Sequence, residues 1–274
     1  MHGLTAVALL GALQAQSPEL VSPLGRAFHA RPDTGGVIAR AESAAARNPG
    51  NVDSLIALGQ AFASVWRYGD AIAIYTRAIS AAPELAVLYR HRGHRFISTR
   101  RFAEAASDLQ RGAGLDSTSW DIWYHLGLAY YLTGRFGDAA RAYRRSLALR
   151  PDDAGSVVAA SDWLWMSLRR AGRAEEAAAV LAPIADSMAV GENSTYHRRL
   201  LFYKGRITES DLRSLMAAGE LEAATVGYGL ANWYLVQGDT ARARSLWGDI
   251  VKGGYWPAFG FIAAETDLQR TRTR

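Results

Sequence analysis

Apolar residues between positions 52 and 153 recur at helical spacing, in paired segments separated by short polar turns. In the first pair Leu55, Leu58, Gly59 and Phe62 form one face, Ala71, Tyr75 and Ala78 form the face opposite, and Pro83 stops the second helix. A shift of 34 residues carries Gly59 to Gly93 and Gly127, Phe62 to Phe96 and Tyr130, and Ala71 to Ala105 and Ala139. The spacing therefore predicts three helical hairpins in register, over residues 52–85, 86–119 and 120–153. Small residues such as Gly127 and Ala139 let two helices approach, while Trp123, Leu126, Tyr130 and Tyr143 fill the space around that contact. A hairpin that cannot bury its apolar face alone must stack on its neighbours.

The third hairpin spells W-x2-L-G-x2-Y with Trp123, Leu126, Gly127 and Tyr130, then Ala139, Tyr143 and Pro151, with Tyr where A-x3-F would place Phe. It resembles the tetratricopeptide repeat. The segments YRHRGHR and YHLGLAYYL are also similar to those of uncharacterised bacterial proteins of that family. The resemblance implies an all-α fold, a right-handed α-solenoid of stacked helix-turn-helix repeats, whose curved inner surface binds partner proteins. The second hairpin departs from the family at Arg92 and Gly112 and lacks a closing proline.

Outside the hairpins the pattern loosens. An apolar run from Leu4 to Leu13 is too short to span a bilayer, which takes about 20 apolar residues, and residues 1–15 read as a signal peptide or else as an apolar tail. Export to the periplasm or medium is the expectation, with a cytoplasmic protein as the alternative. Pro18, Pro23 and Pro32 make residues 16–32 an extended lead-in, and residues 33–49 a capping helix that stops at Asn48 and Pro49. Residues 154–252 read as irregular repeats. A long first helix carries Trp163, Trp165 and Met166, two short helices follow near Thr195–Lys204 and Ser210–Met216, and a final unit is built on Gly227, Tyr234, Ala243 and Trp247. After Gly253 and Gly254 a closing helix, residues 257–270, is expected to cover the exposed end of the stack with Phe261, Ile262 and Leu268.

Charge adds a direction. The 274 residues carry a net charge of +5, and nearly all positive charge is arginine. Such a balance suits carboxylate, phosphate or aromatic partners, although base composition produces the same bias. With no cysteine there is no disulfide and no thiolate metal site. No G-x-S-x-G, G-x-x-x-x-G-K or strand-linked G-x-G-x-x-G occurs, so the reading is a non-enzymatic scaffold without a cofactor.

The densest charged stretch runs from Tyr89 to Phe96. The resemblance places Arg90 and His94 on the inner surface, with Tyr124 and Leu128 at the matching positions one repeat on, Asp121 and Tyr131 nearby, and Ile56 and Gln60 one repeat before. One hypothesis is that Arg90 and His94, with Arg169 or Arg170, hold an acidic segment of a partner. The alternative is that Arg90 pairs with Asp121 and His94 only packs. Ile56, Gln60 and Tyr124 stand where a carboxylate-clamp subgroup needs polar residues, which argues against a chaperone-tail clamp. His91 and His94 form H-x-x-H without the further ligands that zinc takes. Residues 86–119 hold six arginines against Glu104, Asp108 and Asp116, an excess of three, and RNA or another polyanion is the second class of partner.

Overall fold

Each hairpin turns where the sequence allows its two helices to touch. In the computed structural model, which describes residues 17–272, the three hairpins are α2 (Val52–Ser64) with α3 (Tyr68–Ala81), α4 (Ala86–Ser98) with α5 (Phe102–Leu115), and α6 (Trp120–Leu132) with α7 (Phe136–Leu149). The repeated glycine is required at all three crossings. A Cβ on Gly59 would stand 2.4 Å from the Tyr75 ring, one on Gly93 2.8 Å from Leu109, and one on Gly127 2.8 Å from the Tyr143 ring. Leu58, Phe62, Ala71, Phe96, Ala105, Leu126, Tyr130, Ala139 and Tyr143 are all buried around these contacts. Trp123 differs from the expectation. It is half-buried and donates Nε1–H to the Ser117 carbonyl at 3.0 Å, beside an outer cavity of about 500 Å³ shared with Tyr130 and Arg145.

The stack is an all-α helical-repeat solenoid. It begins with α1 (Val37–Arg47), whose first turn is held by the Asp33 carboxylate accepting from the Val37 and Ile38 amides at 2.9 and 3.0 Å. It continues through α8 (Ala154–Arg170) and α9 (Ala174–Leu181), α10 (Ser194–Tyr203) and α11 (Glu209–Met216), and α12 (Glu220–Val236) and α13 (Thr240–Ile250), to α14 (Phe259–Arg272). Asp153 caps α8, its side chain accepting from the Gly155 amide at 3.0 Å. Where α8, α10 and α12 meet, Arg199 and Asp162 form a fully buried ion pair at 2.8 Å, and Gly229 leaves the room that the guanidinium occupies.

Two segments are placed differently from the sequence reading. Residues 16–32 were expected to be simply extended. The described part contains an antiparallel hairpin, β1 (Leu20–Val21) with β2 (Ala27–Phe28), turning at Gly25 with φ 86°. The hairpin ties the first repeat to the last helices: Gly69 N donates to Glu19 at 2.5 Å, Arg26 donates to the Val251 carbonyl at 2.5 Å, and Phe28 stacks on Trp256 with centroids 5.2 Å apart. The closing helix α14 packs on α12 and α13, but it also runs across the inner face of the stack. Glu265 takes Arg100 of the α4–α5 turn at 2.8 Å, Asp267 takes Arg170 of α8 in two bonds of 2.9 Å, and Arg270 donates to the Leu132 carbonyl at the end of α6. The inner surface is therefore open over only part of its area. The apolar run Leu4–Leu13 and the expected signal peptide lie outside the described residues.

Candidate binding cleft

The first helix of each repeat presents residues one turn apart to the inner side, and α14 divides that side in two. Toward the N-terminal ends of α4, α6 and α8 the surface stays open. Here Val87 is 44% exposed, and Arg90, His91, Asp121 and Ile122 line a hollow of about 180 Å³. Beside it Trp120, Tyr124, Arg150, Asp153, Tyr196 and the loop at Val190–Asn193 enclose a larger cavity of about 570 Å³. Trp120 stacks on Tyr124 at 4.7 Å, and the Arg150 guanidinium lies 5.6 Å from the Trp120 ring centroid. The Trp120 indole N–H and Arg90 Nε are buried without a hydrogen-bond partner among the described residues.

The inner-face residues named from sequence separate into two groups. Arg90, Asp121 and Tyr124 share the open cleft. Arg90 Nη2 donates to Asp121 at 3.1 Å, and although burial disfavours the charged carboxylate, Arg90 and His125 outweigh it and lower the Asp121 pKa. His94 lies one turn deeper, against His125 of α6 and Phe259 of α14. Tyr131, Arg169 and Arg170 sit in the part that α12 and α14 cover. The Tyr131 hydroxyl donates to Asn232 at 3.1 Å and lies 2.8 Å from that of Tyr228, Arg169 donates to the Val236 carbonyl at 3.1 Å, and Arg170 grips Asp267. Of the two H-x-x-H imidazoles, His91 stacks on Tyr75 at 5.2 Å while His94 lies tilted against His125, and no group of three metal-ligating side chains is assembled among the described residues.

Trp120, Arg150, Glu192 and Tyr196 were not named from the sequence. Trp120 carried a signal, being the first residue of its helix and three before Trp123. Arg150 comes from the end of α7, and Glu192 and Tyr196 reach the cleft because the loop after α9 folds back onto the start of α8. A Cβ on Gly155 would stand 3.0 Å from Asn193 Nδ2 and 3.3 Å from the Val190 carbonyl, which shows how closely that loop is pressed.

Residues 92–154, spanning most of two hairpins, match the tetratricopeptide repeat family. Tetratricopeptide repeats thus account for this part of the stack. Among solved structures, the APC/C hetero-tetramer Cut9–Hcn1 is 15% identical over 85% of this chain and 38% of that one, with a TM-score of 0.52. MamA is 20% identical over 64% of this chain and 92% of its own, with a TM-score of 0.49. YrrB, a TPR protein with an unusual peptide-binding site, is 17% identical over 85% and 97%, with a TM-score of 0.48. At these identities the likeness concerns the fold. No curated protein matches the sequence.

Proposed function

We propose that this helical-repeat protein is a non-enzymatic scaffold that holds an extended or helical segment of a partner protein in the open cleft along α4, α6 and α8. The observation that carries the reading is the paired hollow on the inner face, with exposed Val87, the Arg90–Asp121 pair and an aromatic wall of Trp120, Tyr124 and Tyr196. An aromatic or aliphatic side chain of the partner fills the larger cavity, and a carboxylate reaches Arg90. Most of the cleft wall is packed helix, with the loop at Val190–Asn193 closing one side, so little scaffold entropy is lost on binding.

The polyanion reading is less well supported by the ion pairs. Of the six arginines in residues 86–119, Arg90, Arg92, Arg100 and Arg101 face Asp121, Asp108, Glu265 and Glu104. Binding to a generic RNA strand that falls steeply with salt would revive it.

A photo-reactive residue at Val87 tests the cleft against a control at Arg141 on the outer surface. The expected result is cross-linking of the same partner at Val87 only, weakened about tenfold by Arg90→Glu while melting is unchanged. Equal cross-linking at both positions overturns the proposal. Export belongs to the same reading: protein isolated from cells should begin near Gln16, and an intact Met1 would refute it.

A further inference from the structure

Under α14 the inner face of α4 and α6 carries a group of bases with few acids to answer them. The His94 and His125 rings lie 4.4 Å apart, and Phe259 covers both at 5.3 and 5.9 Å. His125 Nδ1 donates to the Asp121 carbonyl at 2.7 Å, and Arg95 Nη2 donates to His94 Nδ1 at 2.5 Å, so both rings are held in one orientation and His94, whose Nδ1 accepts, is neutral. The charged groups around them come from α4 (Arg90, His91 and Arg95) and α6 (Asp121). From α3, Tyr68 and Tyr75 bring only phenols toward Arg95, and the α14 carboxylate Glu265 is taken by Arg100. Asp121 is taken by Arg90, and Arg95 has no carboxylate partner among the described residues. One carboxylate thus stands beside two guanidiniums and pairs with only one of them before either ring accepts a proton.

Burial, reinforced by Arg90 and Arg95, pushes the His125 pKa down to about 3 and that of His94 well below its usual value. Phe259 is the removable part of the cover. Its ring is partly exposed, whereas the body of α14 is fixed by the Arg170–Asp267 bonds and by Gly260, where a Cβ would stand 2.2 Å from the Ala224 carbonyl.

We propose that acidification swings the Phe259 ring off the His94–His125 pair and turns Arg90, His94, Arg95 and His125 into a docking patch for an acidic protein segment. The proposal rests on reading the inner face as the partner surface, and it extends the cleft one helical turn inward from Arg90. With both rings protonated, four cations face Asp121, and the partner's carboxylates supply the missing charge. Because a solvated imidazole titrates near 6.5, each ring favours the open form by up to about tenfold per pH unit below that value, and the pair by about a hundredfold.

The test uses the full protein with a dye-labelled oligo-aspartate peptide at fixed ionic strength, and imidazole NMR without peptide. Aspartate titrates near 3.9, so the probe stays charged at pH 5. The expected results are binding at least tenfold tighter at pH 5 than at pH 7, and loss of that gain in His94→Gln/His125→Gln. Phe259→Ala should move the titration of both rings upward, toward pH 6.5, and supplies the answer if the double variant does not fold. A wild type whose affinity does not rise, or a gain that survives in the double variant, overturns the proposal. Rings that stay untitrated in Phe259→Ala overturn it as well. Cross-linking at Val87 at pH 7 is independent of these outcomes.

Discussion

Trp66, Arg100 and Gly134 occupy the same turn in three successive hairpins, and all three are left-handed, with φ of 66°, 62° and 79°. Only the third is glycine. A side chain there costs about 1–2 kcal/mol, so something must hold the other two. Trp66 lies under Arg31 at 3.7 Å and edge-on to Tyr255 and Trp256, while Arg100 bonds Glu265 at 2.8 Å and the Trp256 carbonyl at 3.1 Å. The strained turns are thus the ones that grip the C-terminal segment. Arg100→Gly relieves the backbone but strands a buried carboxylate, and urea unfolding should show a loss of about 3–5 kcal/mol, largely restored by adding Glu265→Gln. The tryptophans are ranked by depth in the same way. Trp163→Ala, at a fully buried ring, should cost about 3–5 kcal/mol, and Trp123→Ala less than half as much.

Among the elements, α2 to α7 were legible because their contacts are local. The residue that fills the space beside Gly59, Gly93 or Gly127 is 16 positions further along, Tyr75, Leu109 or Tyr143, so periodicity reports the packing directly. Arg90, Asp121 and Tyr124 were legible for the same reason, since repeat position sets the face. The closing helix was half legible. Phe261, Ile262 and Leu268 marked an amphipathic face, yet nothing local says that Glu265 and Asp267 point inward, because their partners Arg100 and Arg170 lie 165 and 97 residues away. The buried Asp162–Arg199 pair was hidden likewise. If α14 is held by these pairs, Asp267→Ala should destabilise by about 3–5 kcal/mol and speed amide exchange across residues 253–272 more than elsewhere.

Over the whole molecule, protons act in two opposing senses. Burial raises the Asp162 pKa to about 7, against an unfolded value near 3.9, so its contribution is complete below pH 3.9 and fades as pH rises through 7. Burial lowers His91 to about 4 and His125 to about 3, so their contribution is complete above about 6.5 and fades as pH falls toward those values. His94 acts with them, and three imidazoles outweigh one carboxyl. Stability should therefore decline from pH 6.5 to 5. Asp162→Asn should be weaker throughout, because Arg199 loses its partner, and its decline should be steeper. Urea midpoints at several pH values check both, and an unchanged slope would refute the assignment.

The meeting of the two ends has a consequence for how the protein is made. Trp66 leaves the ribosome 190 residues before Trp256, the ring it packs against. At about 5–20 residues per second that is a delay of roughly 10–40 s. During that interval the nascent hairpins exist as an unfinished array with bare aromatic edges at Trp66 and Tyr68. Completion waits for the segment that carries Trp256, so a stop codon before Trp256 should yield chains that depend on chaperones, even though every helix of the first three repeats is present.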